Sequence, residues 1–142
     1  MSGTYIPKAL RKRVTAQAKY RCGYCLTQEE VVGMEMELDH LVPRAQQGET
    51  NEENLWLACS ACNNAKNDRT TARDPLTDEE VALFNPRKQV WNEHFRWTPE
   101  GDRIIGLTST GRATIVALNL NRYYLVRSRR IWVKTGWHPP RD

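Results

Sequence analysis

All four cysteines of the chain fall into two Cys-x-x-Cys pairs, Cys22/Cys25 and Cys59/Cys62, and the pairs flank Asp39-His40. Each pair sets two thiols on one tight turn, and two such knuckles complete the tetrahedral Cys₄ shell that Zn²⁺ takes in structural sites. One ion joining both knuckles would clamp the segment between them, so the spacing constrains the fold more than any composition does. Other uses of four cysteines stay open. Two disulfides would suit a secreted chain, but Met1-Ser2-Gly3-Thr4-Tyr5 leads into no apolar segment of a signal peptide, which favours a reducing, cytoplasmic setting. A redox Cys-x-x-Cys needs no second copy, whereas a closed metal site needs both; a different metal or a cluster is the nearer alternative to zinc.

With 142 residues the chain has room for one compact domain or for a metal-nucleated module with a packed extension. It contains no apolar run near the roughly 18 residues of a membrane span, so no membrane partner is expected. The net charge of +4 is modest, but its distribution is uneven. Every charged residue from Lys8 to Arg21 is basic, as is every one from Arg103 to Arg141, while Glu29, Glu30, Glu35, Glu37, Asp39, Glu49, Glu52 and Glu53 lie between. Basic flanks around an acidic, metal-ready centre suit a polyanion such as nucleic acid; solvated helix faces are the plainer explanation.

Local patterns supply the elements. Pro7 is placed to open a helix over Lys8–Tyr20, with Leu10, Val14 and Ala18 on one face. From Val31 to Leu41 the residues Met34, Met36 and Leu38 alternate with Glu35, Glu37 and Asp39, as in a strand ended by Pro43. A polar loop with Gly48 leads to a returning strand, Leu55-Trp56-Leu57-Ala58. A helix is expected from Ser60 to Thr71 although Asn63-Asn64 and Asn67-Asp68 are poor helix formers. Thr77-Asp78-Glu79-Glu80 reads as a capping box opening a helical turn. A second hairpin is expected around Pro99-Glu100-Gly101-Asp102, then a helix over Gly111–Leu118 with Ala113, Val116 and Ala117 inside. Another follows, capped by Asn121, with Leu125, Val126, Arg129 and Trp132 as its apolar stripe and Gly136 as its stop.

Cys22-x-x-Cys25, Leu38-Asp39-His40-Leu41-Val42-Pro43, Asn54-Leu55 and Cys59-x-x-Cys62-Asn63-Asn64-Ala65-Lys66, in that order, resemble the HNH endonuclease family. The likeness runs from about Tyr20 to Thr71. It implies an α+β fold: a small ββα-metal (His-Me finger) module stapled by the Cys₄ zinc site, with an N-terminal helix. The expected division is residues 1–74 for the nuclease module and 75–142 for a C-terminal hairpin-plus-helices extension packed on it, as in some bacterial members.

The chemistry accounts for the residue types. Hydrolysing a phosphodiester needs a water activated near neutral pH, and His40 is the natural base. The leaving oxygen develops charge that a hard cation on oxygen ligands can stabilise. The resemblance assigns Asp39 and Asn63 to that cation, Mg²⁺ or Mn²⁺, and gives Asn54 the task of fixing the loop that carries the base. Many relatives carry His where this chain has Asn63. Asn67, one turn further on, is a possible added ligand, and Lys66 reads as a phosphate contact. Strand alternation would send Asp39 and His40 to opposite faces unless the strand ends or bulges there. His94, His138 and most of Trp56, Trp91, Trp97, Trp132 and Trp137 read as packing residues. The resulting expectation is a metal-dependent endonuclease acting on DNA, with Cys22, Cys25, Cys59 and Cys62 on structural zinc. The alternatives are a non-catalytic zinc-containing nucleic-acid-binding module and, from another class, a zinc adaptor for protein partners. No dimerisation face is legible.

Overall fold

Leu10, Val14 and Ala18 line the buried side of helix α1 (Lys8–Gln17) and its C-cap in the computed structural model, which describes residues 5–142. The reading of Met1–Thr4 lies outside the described residues. Strand character does not begin at Val31. Glu29–Val32 instead form a single helical turn, α2, with Glu29 and Glu30 at its N-terminus and Gly33 at φ 71° as its left-handed cap, the conformation a residue without Cβ adopts freely. Strand β1 is therefore only Glu37–His40, and it pairs antiparallel with β2 (Leu55–Ala58), placing Leu38 opposite Leu57, Asp39 opposite Trp56 and His40 opposite Leu55. One face of this hairpin sends Leu38, Leu55 and Leu57 into the core with Leu10 and Val14. The other presents Glu37 and Asp39 to helix α3 (Ser60–Lys66), through hydrogen bonds from Ser60, Asn63 and Lys66.

The connection between β1 and β2 is folded rather than loose, with 3₁₀ turns at Arg44–Gln46 and Glu52–Asn54. Gly48 is buried against the Val42 carbonyl, and a Cβ there would overlap that oxygen. Helix α3 is shorter than expected. It ends at Lys66, because Asn67 turns to φ 52°, a conformation Asn tolerates better than most residues. The chain then forms β3 (Thr71–Arg73), paired with β4 (Glu80–Ala82). No helix opens at Thr77. Asp74 takes that local role, accepting from the Leu76 amide and the Thr77 hydroxyl, so its side chain makes the hairpin turn that competes with a capping box.

Beyond it come α4 (Trp91–His94), β5 (Phe95–Trp97), its partner β6 (Ile104–Gly106), α5 (Ser109–Leu118) and α6 (Tyr123–Thr135). Thr108 caps α5 by accepting from the Gly111 amide, and Gly111 lies so close to the His94 carbonyl that a side chain has no room. The inner face of α5 is Gly111, Ala113, Thr114 and Leu118, whereas Val116, expected inside, is 60% exposed. Asn121 does not cap α6. Its amide straps the β6 edge, accepting from the Ile104 amide and donating to the Ile104 carbonyl, while Arg122 takes the N-cap position. The stripe of α6 is as expected: Leu125, Val126 and Arg129 are buried and Trp132 packs against them, with Gly136 as the left-handed stop. Leu83, Phe84, Phe95, Leu118 and Leu120 join the residues under the first hairpin in one apolar cluster. Among the described residues no helix is long and apolar enough to cross a membrane.

The Asp74 carboxylate, wholly removed from solvent, also receives Arg112 in bidentate fashion, Nε at 3.0 Å and Nη2 at 2.8 Å. The Arg112 guanidinium beside it holds its carboxyl well below the usual range. A carboxylate so depressed stabilises the fold above its unfolded pKa of about 4, and the contribution is lost as pH falls toward the folded value. Urea unfolding of the wild type should accordingly weaken below about pH 4. Asp74→Asn should unfold at lower urea at pH 7 and show a shallower acid decline; equal acid dependence of the two proteins would refute this.

Candidate active site and metal centre

Two thiols come from the knuckle after α1 and two from the end of β2 and the first turn of α3. The four sulfurs lie within 4.8 Å of one another, with Cys25 and Cys59 at 3.7 Å and no disulfide formed. Zn–S bonds of about 2.3 Å in a tetrahedron place sulfurs about 3.8 Å apart, so the donor set fits zinc. Hydrogen bonding at the sulfurs fits as well. Cys22 accepts from the Tyr24 amide, Cys59 from the Cys62 amide, and Cys25 is paired with the Thr27 hydroxyl. Gly23 lets the first knuckle lie close against the Trp56 indole and Pro86, where a Cβ would collide.

Between hairpin and helix the polar side chains form two rungs. On the outer rung Glu37 accepts from Ser60 Oγ at 2.6 Å and from Asn63 Nδ2 at 2.8 Å, which holds its carboxyl below the ordinary value. On the inner rung Asp39, only 3% exposed, accepts from the Tyr24 hydroxyl at 2.6 Å and from Lys66 Nζ at 3.2 Å. Burial pushes the Asp39 carboxyl up, against the opposing pull of Lys66 and Tyr24. Lys66 is 2% exposed and donates also to the carbonyls of His40 and Leu41, at 3.1 and 3.3 Å. The reading of Lys66 as a phosphate contact is thereby corrected: its ammonium is enclosed by protein oxygens and neutralises Asp39. Among the described residues no hydrogen bond joins Asp39 to Asn63; each belongs to a different rung. Asn67, past the end of α3, leaves the helical face that carries Asn63 and Lys66.

Strand β1 keeps its register through His40, with no bulge, so Asp39 and His40 do point to opposite faces. His40 Nε2 lies 2.8 Å from the Thr50 hydroxyl, which orients the ring from the folded loop, and its Nδ1 has no hydrogen-bond partner among the described residues. Burial lowers the basicity of the imidazole, more than the neighbouring Asp39 charge raises it. Asn54 ties the same loop together. Its Oδ1 accepts from the Val42 amide at 2.8 Å, and its Nδ2 donates to the carbonyls of Val42 and Glu49 at 3.0 and 2.8 Å. One amide thus fixes both ends of the segment that follows His40.

The remaining histidines serve packing. His94 bonds the Thr108 hydroxyl and meets the Phe84 ring edge-on. His138 bonds the Gly101 carbonyl between Trp97 and Trp132, and burial lowers its pKa to about 4. Trp56, Trp91, Trp97 and Trp132 pack on the core while Trp137 is exposed. Some of the basic charge is paired within the chain, in Arg13–Glu52, Arg112–Asp74 and Arg130–Asp102.

Three residues of this region escaped sequence reasoning. Glu37 had a signal, two positions before Asp39 on the same strand face. Tyr24 had a weaker one, its place inside the first knuckle. Arg122, whose guanidinium reaches Cys59 and Cys62 from the far end of the chain, had none.

Neither the curated proteins nor the solved structures contain a significant match to the chain. A family model, that of the HNH endonucleases, does match, over residues 22–69. Its span begins at Cys22, takes in both strands of the hairpin and ends just beyond α3, so hairpin, loop and helix together are the part of the chain that matches the HNH endonuclease family.

Proposed function

We propose that the chain is a metal-dependent endonuclease that hydrolyses DNA phosphodiester bonds. The HNH domain indicates a nuclease-type function, and nucleic acid is the substrate class of that family. The observation that carries the finer reading is the support around His40. Asn54 staples the loop on either side of Thr50, Thr50 holds Nε2, and Nδ1 is left to take a proton from water. A base aimed by its neighbours in this way is what general-base catalysis requires.

The cation-binding part of the proposal rests on donor chemistry. Glu37, Asp39 and the Asn63 amide oxygen are hard oxygen donors on facing elements, the kind that Mg²⁺ or Mn²⁺ selects over softer ligands. Glu37 and Asn63, on the accessible rung, would hold the ion first; Asp39 would join as Lys66 yields its carboxylate. When bound, such an ion supplies stabilisation of the charge on the leaving oxygen. The protein's own part is to aim His40, to keep the loop folded and to fix hairpin against helix through the zinc centre.

A second reading, a nucleic-acid-binding zinc module without catalysis, is favoured by one observation: Asp39 is buried and already neutralised by Lys66. Plasmid nicking separates the two. Wild-type protein with Mg²⁺ or Mn²⁺ should convert supercoiled to open-circular plasmid, and EDTA should stop it. Binding without nicking would establish the second reading instead.

His40→Ala should lower nicking by at least about a hundredfold, the scale of a lost general base, with zinc content and unfolding midpoint unchanged; retained metal-dependent cleavage would remove His40 from this role. Cys59→Ser should act differently. It should release zinc and lower the thermal midpoint, because a structural zinc contributes folding free energy; a variant with wild-type zinc content and melting temperature would refute the structural assignment.

A further inference from the structure

Four thiolates and one Zn²⁺ carry two net negative charges, and here they would sit in the core: Cys22, Cys25 and Cys62 have no exposed surface and Cys59 is half-buried. Buried charge of that size is costly unless countered nearby. The countercharge does not come from the nuclease module. Among the described residues its one deeply buried cation, Lys66, is engaged by Asp39 and two carbonyls.

One guanidinium of the extension is placed for the task. Arg122, at the N-cap of α6, donates from Nη1 to Cys62 Sγ at 3.8 Å and from Nη2 to Cys59 Sγ at 3.6 Å. Arg129 stands seven residues on, two turns along the same face of the helix. It has no exposed surface and, among the described residues, no carboxylate partner. Its contacts are the carbonyls of Leu120 and Asp102, the amide oxygen of Asn121 and the face of Trp97, and its Nε is unpaired. The Asp102 carboxylate is taken by Arg130. Burial lowers the Arg129 pKa to about 10, and the thiolates of Cys25 and Cys62 act in the opposite sense. A buried guanidinium with neutral contacts alone is unusual.

We infer that Arg122, at the start of α6, supplies countercharge to the zinc centre through N–H···S bonds to Cys59 and Cys62, so that the metal latches the C-terminal extension to the nuclease module. Arg122 has a second effect. A cleft lined by Cys59, Ser60, Arg122, Tyr124 and Trp132 is the route by which solvent reaches the least buried sulfur, and Arg122 stands over that sulfur. A cation hydrogen-bonded to a thiolate makes it less nucleophilic, which slows its attack on electrophiles, and opposes its protonation, which slows the departure of the metal.

The test is zinc release from the full chain into excess 4-(2-pyridylazo)resorcinol, alongside N-ethylmaleimide labelling of Cys59 read by mass spectrometry. Wild type, Arg122→Ala, Arg122→Gln and Arg122→Lys are compared after each has been checked for wild-type circular dichroism. Wild type should hold one zinc. Arg122→Ala and Arg122→Gln should lose it at least about tenfold faster, the usual scale for a residue that supports metal ligands, and label faster at Cys59. Arg122→Lys should recover much of the difference, because it restores charge without the planar fork. If the alanine variant fails to fold, the glutamine and lysine variants carry the comparison. A wild type without zinc, equal release from wild type and Arg122→Gln, or lysine no better than glutamine would each overturn the inference. None of these readouts depends on nuclease activity.

Discussion

The approach of four cysteine sulfurs to within 4.8 Å of one another is the contact on which the placement of everything else depends. It joins the turn after α1 to the end of β2 and the start of α3, three points that the chain reaches with very short elements. Strands of four residues and a helix of seven bury too little apolar surface to fix one another, and isolated helices of that length are marginal in water. A metal held by both knuckles sets their relative position directly. The polar contacts between hairpin and helix can then be few, and they can serve a site rather than the fold.

That division explains which parts of the molecule were legible in the sequence. The knuckles, the hairpin and the helix start were readable because thiol spacing, period-two alternation and a returning apolar run are local signals. So was the apolar stripe of α6, down to Arg129 taking a core position. Four of the errors share a cause in side chains that act over short distances. Gly33 allowed a helical turn where alternation suggested strand; Asn67 ended α3 early; Asp74 made a turn from what looked like a cap; Asn121 bonded β6 rather than its own helix. Each is a polar or glycine residue with two competing local uses, and tertiary contacts decided between them.

At the site, residue types were legible and pairings were not. Nothing in Cys62-Asn63-Asn64-Ala65-Lys66 reveals that the lysine is buried, because that depends on the length of α3 and on how α3 packs against β1. Residues three apart on the helix meet residues two apart on the strand. Hence Asn63 faces Glu37 and Lys66 faces Asp39. Once both elements are in place this register is forced, and it makes Glu37 a member of the site although no motif singles it out.

The Lys66 ammonium deserves comparison with a metal ion. Its neighbours are a carboxylate oxygen of Asp39 and the carbonyl oxygens of His40 and Leu41, an all-oxygen cage of the kind that hard cations take. The cage is formed by the backbone at the very residues that carry His40, so a cation there fixes the end of β1 as well as neutralising Asp39. Under the nuclease reading the two positive groups are not equivalent. The tethered one is buried and holds the strand end in register, while the exchangeable one approaches from the Glu37–Asn63 side, where the carboxylate is half-exposed. Removing the lysine would leave an unpaired buried carboxylate and a frayed strand end before it affected any metal. Lys66 is therefore a structural cation, and the register that sets it on Asp39 leaves Asn63 to Glu37.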